Sequence, residues 1–254
     1  MEVARLSIAP VKGLALEHPE EIVLGRRGAT GDRRFHLITA EGRLVNAKTC
    51  GPLVRIRPRY DAGTRRLALE LGDGSPPVEG EVVLGGPVET SFYGRPVRGR
   101  LVEGPWSEAL SAFSGMPLQL VCADEPGAAV DRTHVVSLLT DGSLAALGRR
   151  AGVDAVDPRR FRMTVEVRGA SEHEEDGWIG REVDVGGARI RVVGPVGRCA
   201  VTTLDPDSGV RDLDTLGVLA GYRTLREGKA FAFGVCGDVL EEGVVRIGDP
   251  VRVR

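Results

Sequence analysis

The chain has 254 residues, 42% hydrophobic and 28% charged, with a formal net charge of −2 at pH 7, the composition of a soluble globular protein with one large or two small domains. No apolar run approaches the roughly 18 residues that a membrane span needs, and so small a charge excludes a protein that binds nucleic acid by neutralising many phosphates, so neither membrane nor nucleic acid is an expected partner. The opening "MEVARLSIAPVKGL" lacks the pattern of a secretory signal, and a cytoplasmic location is expected.

The first half reads as short β-type runs separated by glycine, proline and acidic turns: "VARLSIAPVK", "EEIVLGRRG", "RRFHLITAEGRLVNA", "LVRIRPRYDAGTRRLALEL" and "PVRGRLVE". Alternation is clearest where Leu67, Leu69 and Leu71 share one face, and "TAEGRL" and "DAGT" have hairpin chemistry. "GPWSEALSAFSGMPLQLV" predicts a helix with Ser107 as N-cap, Leu110 and Phe113 on its apolar side, and a stop at Gly115 and Pro117. "VVSLLTDGSLAALGRRAG" runs from a strand into a second helix capped by Thr140 or Asp141 and leaving at Gly152. After "DPRRF" the β pattern returns in "FRMTVEVRG", "GREVDVGGARIRVVGPV", "RCAVTTLD" and "GVVRIGDPVRVR". The expected fold is α+β and predominantly β, with barrels or sandwiches flanked by a few helices. "CADEPGAAVDRTH" is polar and rich in turn residues, so the expected units are residues 1–121 and 122–254.

Phosphate-cradling glycine motifs, the serine-hydrolase elbow and the zinc-protease helix motif are all missing from the sequence. The histidines His18, His36, His134 and His173 are scattered, and "SEHEEDGW" reads as a solvated acidic loop. The four cysteines, Cys50, Cys122, Cys199 and Cys236, have no zinc-site spacing and are expected to be reduced thiols, mostly buried. Cys199 differs in following Arg198 directly and preceding "DPDSG", a turn that Asp205 or Asp207 can cap. A neighbouring cation favours the thiolate, the reactive and metal-binding form. In a strand, however, neighbouring side chains point to opposite faces.

"GRCAVTTLDPDSG" followed by "FGVCGDVLEEGVVRIGDPV" resembles the MOSC domain, named for the C-terminal domain of molybdenum cofactor sulfurases, and the first half resembles the β-barrel domain that often precedes it. The likeness includes "PVKGL", "GDRRFHLITAEGRLVNA", "LLTDGSLAAL", "RRFRMTVEV" and "EEDGWIGREVDVG", in family order over almost the whole chain. Within the family it extends to the mitochondrial amidoxime-reducing components and their bacterial relatives. The resemblance implies an N-terminal barrel-like domain, a MOSC barrel and a molybdenum–molybdopterin cofactor; pyridoxal phosphate is not expected. It makes Cys199 the catalytic residue and molybdenum ligand, and Lys12, Arg33, Thr133, Arg162 and Arg198 contacts to the pterin or its phosphate. A soft thiolate suits such a metal, and forked guanidinium donors suit an anionic heteroaromatic ligand. Without the resemblance, Lys12 reads as a surface lysine beside a turn and Arg33 and Arg34 as exposed strand arginines.

The implied activity is reduction of N-hydroxylated small molecules. The alternatives are a sulfur carrier or transferase working through a Cys199 persulfide, and a non-enzymatic cofactor carrier. The sequence departs from close relatives at Gly13, where serine is common, at His134, and at Met163-Thr164 in place of Pro-Asn. His134 is open to two readings, a structural histidine or an acid–base group over a bound substrate. No iron–sulfur domain follows the final "GDPVRVR", so electrons are expected from a separate ferredoxin- or flavin-type protein.

Overall fold

The computed structural model describes residues 1–125, 134–223, 225–226 and 230–254. The described chain is mostly β-strand, with α-helices at Trp106–Ser114, Asp141–Ala151 and Thr215–Ala220. Seven strands follow one another around a barrel-like sheet: Glu2–Leu6, Val165–Arg168, Val136–Thr140, Ala230–Glu241, Ala188–Gly197, Glu182–Val185 and Val251–Val253. The ends of this path meet, because Glu2 bridges to Pro250 and the Val3 amide donates to the Asp249 carbonyl at 2.8 Å. Closure satisfies edge groups that an open sheet would leave exposed.

Strand alternation fills the barrel. Val3, Leu6, Val136, Leu138, Val165, Val167, Val183, Val185, Ile190, Val192 and Val235 form one buried cluster, and the intervening residues face outward. Val136–Thr140 and Val165–Arg168 are parallel neighbours, a pairing that needs a long crossover. The helix Asp141–Ala151 supplies it. Thr140 Oγ1 accepts from the Ser143 amide, and Gly152 ends the helix at φ 69°, as the sequence predicts.

The first half contributes a five-stranded sheet ordered Leu44–Val45, Phe35–Ile38, Gln119–Ala123, Arg95–Glu103 and Val83–Phe92. A three-stranded meander, Arg57–Asp61, Arg66–Glu70 and Val78–Glu81, accompanies it. Leu67, Leu69 and Leu71 all point into a core shared with Phe35, Trp106 and Leu110. Both expected hairpins form: Asp61 Oδ1 accepts from the Gly63 amide at 2.8 Å in one, and the Thr39 amide donates to the Arg43 carbonyl at 2.9 Å in the other. The first thirty residues belong structurally to the second half as well. Glu2–Leu6 joins the seven-stranded barrel, Glu21–Gly25 pairs with Gly243–Arg246, and Ile22 and Leu24 complete the barrel core. The division expected between residues 121 and 122 falls inside the strand Gln119–Ala123.

Three local expectations are corrected. The first helix starts at Trp106 with Pro105 at the N-cap; Ser107 lies inside the first turn, where its Oγ accepts from the Leu120 amide at 3.1 Å and ties the helix to the next strand. "RCAVTTLD" is not a strand: the chain leaves the sheet at Gly197, Cys199 is extended, and Ala200–Thr203 makes a 3-10 turn with the Thr202 and Thr203 hydroxyls bonded back to the carbonyls of Cys199 and Ala200. Such local hydroxyl bonds compete with a strand ladder. The acidic run around His173 is not a solvated loop either. Glu175 is fully buried and accepts from Thr140 Oγ1 and Ser143 Oγ, each at 2.6 Å, while burial raises its pKa.

Candidate active site

A cavity lies where the N-terminal segments cross the barrel mouth. Its walls come from Lys12 and Gly13, Arg33, Asn46 to Lys48, Tyr93, His134 to Ser137, Arg160 to Thr164, Val196 to Cys199, Val201, Thr202 and Cys236. Lys12, Arg33, Arg162, Arg198 and Cys199, far apart in sequence, are thus brought into one cavity. Thr133 lies outside the described residues.

Cys199 is the exposed cysteine, whereas Cys122 and Cys236 are buried and Cys50 is half-buried. Its exposure follows from the break in the strand. Gly197 ends the ladder, and the 3-10 turn then carries Cys199 outward while Arg198 turns inward. "DPDSG" closes the loop as expected, with Asp205 Oδ1 accepting from the Ser208 amide at 2.8 Å and the Ser208 hydroxyl at 2.7 Å.

The cations are held differently. Lys12 is not a surface lysine: it is only 5% exposed, and its Nζ sits 5.4 Å from the centre of the Phe92 ring. Nearby, His36 Nε2 is hydrogen-bonded to Thr90 Oγ1 at 3.1 Å and is kept neutral, its pKa lowered to about 4 by burial and by the Lys12 charge. Arg33 adopts a left-handed backbone at φ 48°, pairs with Asp32, and donates through Nη2 to the Arg162 carbonyl at 3.3 Å. Arg162 is also left-handed, at φ 53°, and its Nη2 donates to the Leu14 carbonyl at 2.7 Å. Non-glycine residues in this region are uncommon and carry strain. Two of them therefore face each other in the cavity wall.

Arg198 has a structural task. Its Nε donates to the Phe233 carbonyl at 2.8 Å, Nη1 to the Phe161 carbonyl at 3.0 Å, and Nη2 to Met163 Sδ at 2.8 Å, with the guanidinium over the Phe161 ring. This buried fork ties the segment before Cys199 to the barrel. It also explains Met163, whose sulfur meets an Arg198 donor. Thr164, the next departure, exchanges bonds with Ser137: its amide donates to Ser137 Oγ at 3.0 Å.

Gly13 has φ +90°, and a Cβ there would lie 2.8 Å from Asn46 Cα. A side chain at this turn would press on the Asn46 backbone, so the position favours glycine. His134 has a partner, its Nδ1 lying 3.0 Å from Asp238 Oδ1. Asn46, Lys48 and Tyr93 were not foreseen as cavity residues. Asn46 sits in "LVNAK", a hairpin return whose Oδ1 accepts from the Lys48 amide at 2.9 Å, and nothing local distinguishes it from an ordinary turn asparagine.

The structure thus combines a barrel whose mouth is crossed by an N-terminal β unit with a cavity where cations surround one exposed thiol. The MOSC domain family matches residues 125–252 and the MOSC N-terminal beta barrel domain matches residues 1–88, so the chain belongs to the MOSC family. Among characterised proteins it is similar to mitochondrial amidoxime-reducing component 1 of Xenopus laevis, 28% identical over 98% of this chain and 81% of the relative. The human component 1 is likewise 28% identical, over 98% and 82%. Among solved structures, the YuaD protein of Bacillus subtilis aligns over 99% of this chain and 94% of its own, with 12% identity and a TM-score of 0.49. Among the described residues no helix is long and apolar enough to cross a membrane.

Proposed function

We propose that this protein is a cytoplasmic reductase of N-hydroxylated small molecules that uses a molybdenum–molybdopterin cofactor with Cys199 as the protein ligand. The observation that carries the reading is the convergence of one exposed thiol with Lys12, Arg33 and Arg162 in a single cavity of a MOSC protein. The donor set fits such a cofactor. Cys199 would hold the metal, and Lys12, Arg33 and Arg162 would hold the anionic part of the cofactor. Arg160, in the same wall, is already engaged: its guanidinium pairs with Asp212 and its Nη1 donates to the Leu204 carbonyl at 2.8 Å.

When bound, the cofactor supplies the two-electron change that N–O cleavage needs. The protein holds and positions. Cys199 offers a soft thiolate, Lys12 a point charge, and Arg33 and Arg162 forked donors for phosphate and pterin. Arg198 fixes the Cys199 segment, and Thr133 belongs to the cofactor contacts by family resemblance. Release of water from the substrate consumes two protons. His134, in the cavity wall with its Nδ1 3.0 Å from Asp238 Oδ1, can relay one of them through its other ring nitrogen, and solvent supplies the second. A separate ferredoxin- or flavin-type protein delivers the electrons.

The test is metal and pterin analysis of protein purified from a host that makes the cofactor. Molybdenum near one atom per chain is expected in the wild type, and near none in Cys199→Ala, with amidoxime reduction lost in parallel. Wild-type protein lacking molybdenum overturns the reading. A mass gain of one sulfur atom on Cys199 after treatment with a sulfur donor would instead support the persulfide alternative, and tight cofactor binding without turnover a carrier.

A further inference from the structure

Val83–Phe92 and Arg95–Glu103 form a hairpin whose two-residue turn is Tyr93-Gly94. Both turn residues have positive φ, 53° and 89°. Such a turn suits Asn-Gly; glycine takes the conformation freely, whereas an aromatic residue takes it against steric cost. Tyr93 gains no compensating burial, being 67% exposed. It stands in the wall of the Cys199 cavity, with Asn46 Nδ2 donating to its Oη at 3.5 Å. Phe92, one residue earlier, turns the other way, is 2% exposed and lies under the Lys12 ammonium. The turn thus divides two aromatic rings, one into the wall beneath a cation and one onto the rim.

A strained backbone that presents an aromatic ring at a cavity mouth is a feature of recognition. We propose that Tyr93 determines substrate specificity by stacking on the planar, conjugated part of the substrate, so that aryl amidoximes bind in preference to small alkyl ones. The proposal rests on the reductase reading for its substrate class. Stacking on a rim ring needs a delocalised face on the ligand and no fixed hydrogen-bond pattern, so it selects for flatness.

Isothermal titration calorimetry of the full chain without reductant tests this, using benzamidoxime and acetamidoxime as probes and measuring molybdenum content in parallel. In Tyr93→Asn and Tyr93→Leu the Kd for benzamidoxime is expected to rise about tenfold, an effect of the size of one aromatic contact. The Kd for acetamidoxime is expected to stay within about twofold, and Tyr93→Phe to match the wild type in both, because its ring is kept. Tyr93→Asn also restores the preferred turn residue and is expected to raise Tm, so affinity and stability move in opposite directions. Unchanged benzamidoxime binding in Tyr93→Asn, equal loss of both probes, or a wild type that binds neither overturns the proposal. Because no turnover is involved, normal probe discrimination in a protein that never reduces benzamidoxime would sink the reductase reading and leave the stacking role standing.

Discussion

At the scale of single residues, the site depends on backbone positions as much as on side chains. Lys12 is carried into the cavity by a turn at Gly13, whose positive φ and 2.8 Å approach to Asn46 Cα leave no room for a Cβ. Gly13→Ser is therefore expected to destabilise the fold by about 2 kcal/mol, read as a lower urea midpoint at unchanged slope. An unchanged midpoint would show that the turn can shift. The identity of Cys199 was legible because the motif around it is distinctive. The direction of Arg198 was not, since adjacency in sequence does not fix where a side chain points; the structure turns it inward, with donors on the carbonyls of Phe161 and Phe233. For Lys12 the motif and its setting point different ways: the resemblance makes it a cavity residue while lysines beside turns are ordinarily exposed, and the structure buries it over Phe92 in the cavity wall.

At the scale of elements, the strand Val165–Arg168 links the barrel to its closing strand, and Glu166 stands opposite Arg5 there. Burial raises the Glu166 pKa to about 7; Arg5, with Nε 3.7 Å from the carboxylate, lowers it only in part, and Asp157 adds to the rise. The native state thus keeps a proton that the unfolded chain gives up near pH 4.5. The group's contribution to stability is complete below that pH and is lost as pH rises through about 7. Wild-type stability is expected to fall by roughly 2–3 kcal/mol between pH 4.5 and 8 from this group alone. Glu166→Gln, which cannot ionise, is expected to flatten the dependence and to be the more stable form at pH 8. Urea titrations at the two pH values decide it, and parallel profiles for the two proteins would contradict it. The elements themselves were largely readable. Alternation found Arg66–Glu70, and Thr140 and Gly152 framed Asp141–Ala151, because these signals are local. Thr215–Ala220, with Gly217 inside it and only six residues long, has too little periodicity to stand out.

At the scale of the molecule, the two halves of the sequence are interleaved. Glu2–Leu6 closes the seven-stranded barrel, and Ile22 and Leu24 complete its core. A fragment of residues 122–254 would have an open barrel edge and would lack Val3, Leu6, Ile22 and Leu24 from its core. It is expected to show no cooperative thermal transition by circular dichroism, because four lost buried aliphatics outweigh the few kcal/mol of a domain's net stability. A sharp transition near that of the full chain would show that the second half folds alone. The same interleaving builds the cavity, since the strands entering from residues 1–48 bring Lys12, Arg33 and Asn46 to the rim that carries Cys199.

The sequence by itself determined the strand-rich class, the two longer helices, the hairpins and, through its motifs, the family and the gathering of Lys12, Arg33, Arg162 and Arg198 near Cys199. Each depends on signals a few residues long or on a motif read in place. The tertiary structure alone decided that the first strand closes the last barrel, that Lys12 is buried, that Arg198 is a brace, and that Tyr93 stands at the cavity mouth. These depend on which distant strands pair and in what register, a choice set by global packing that no short window of residues contains.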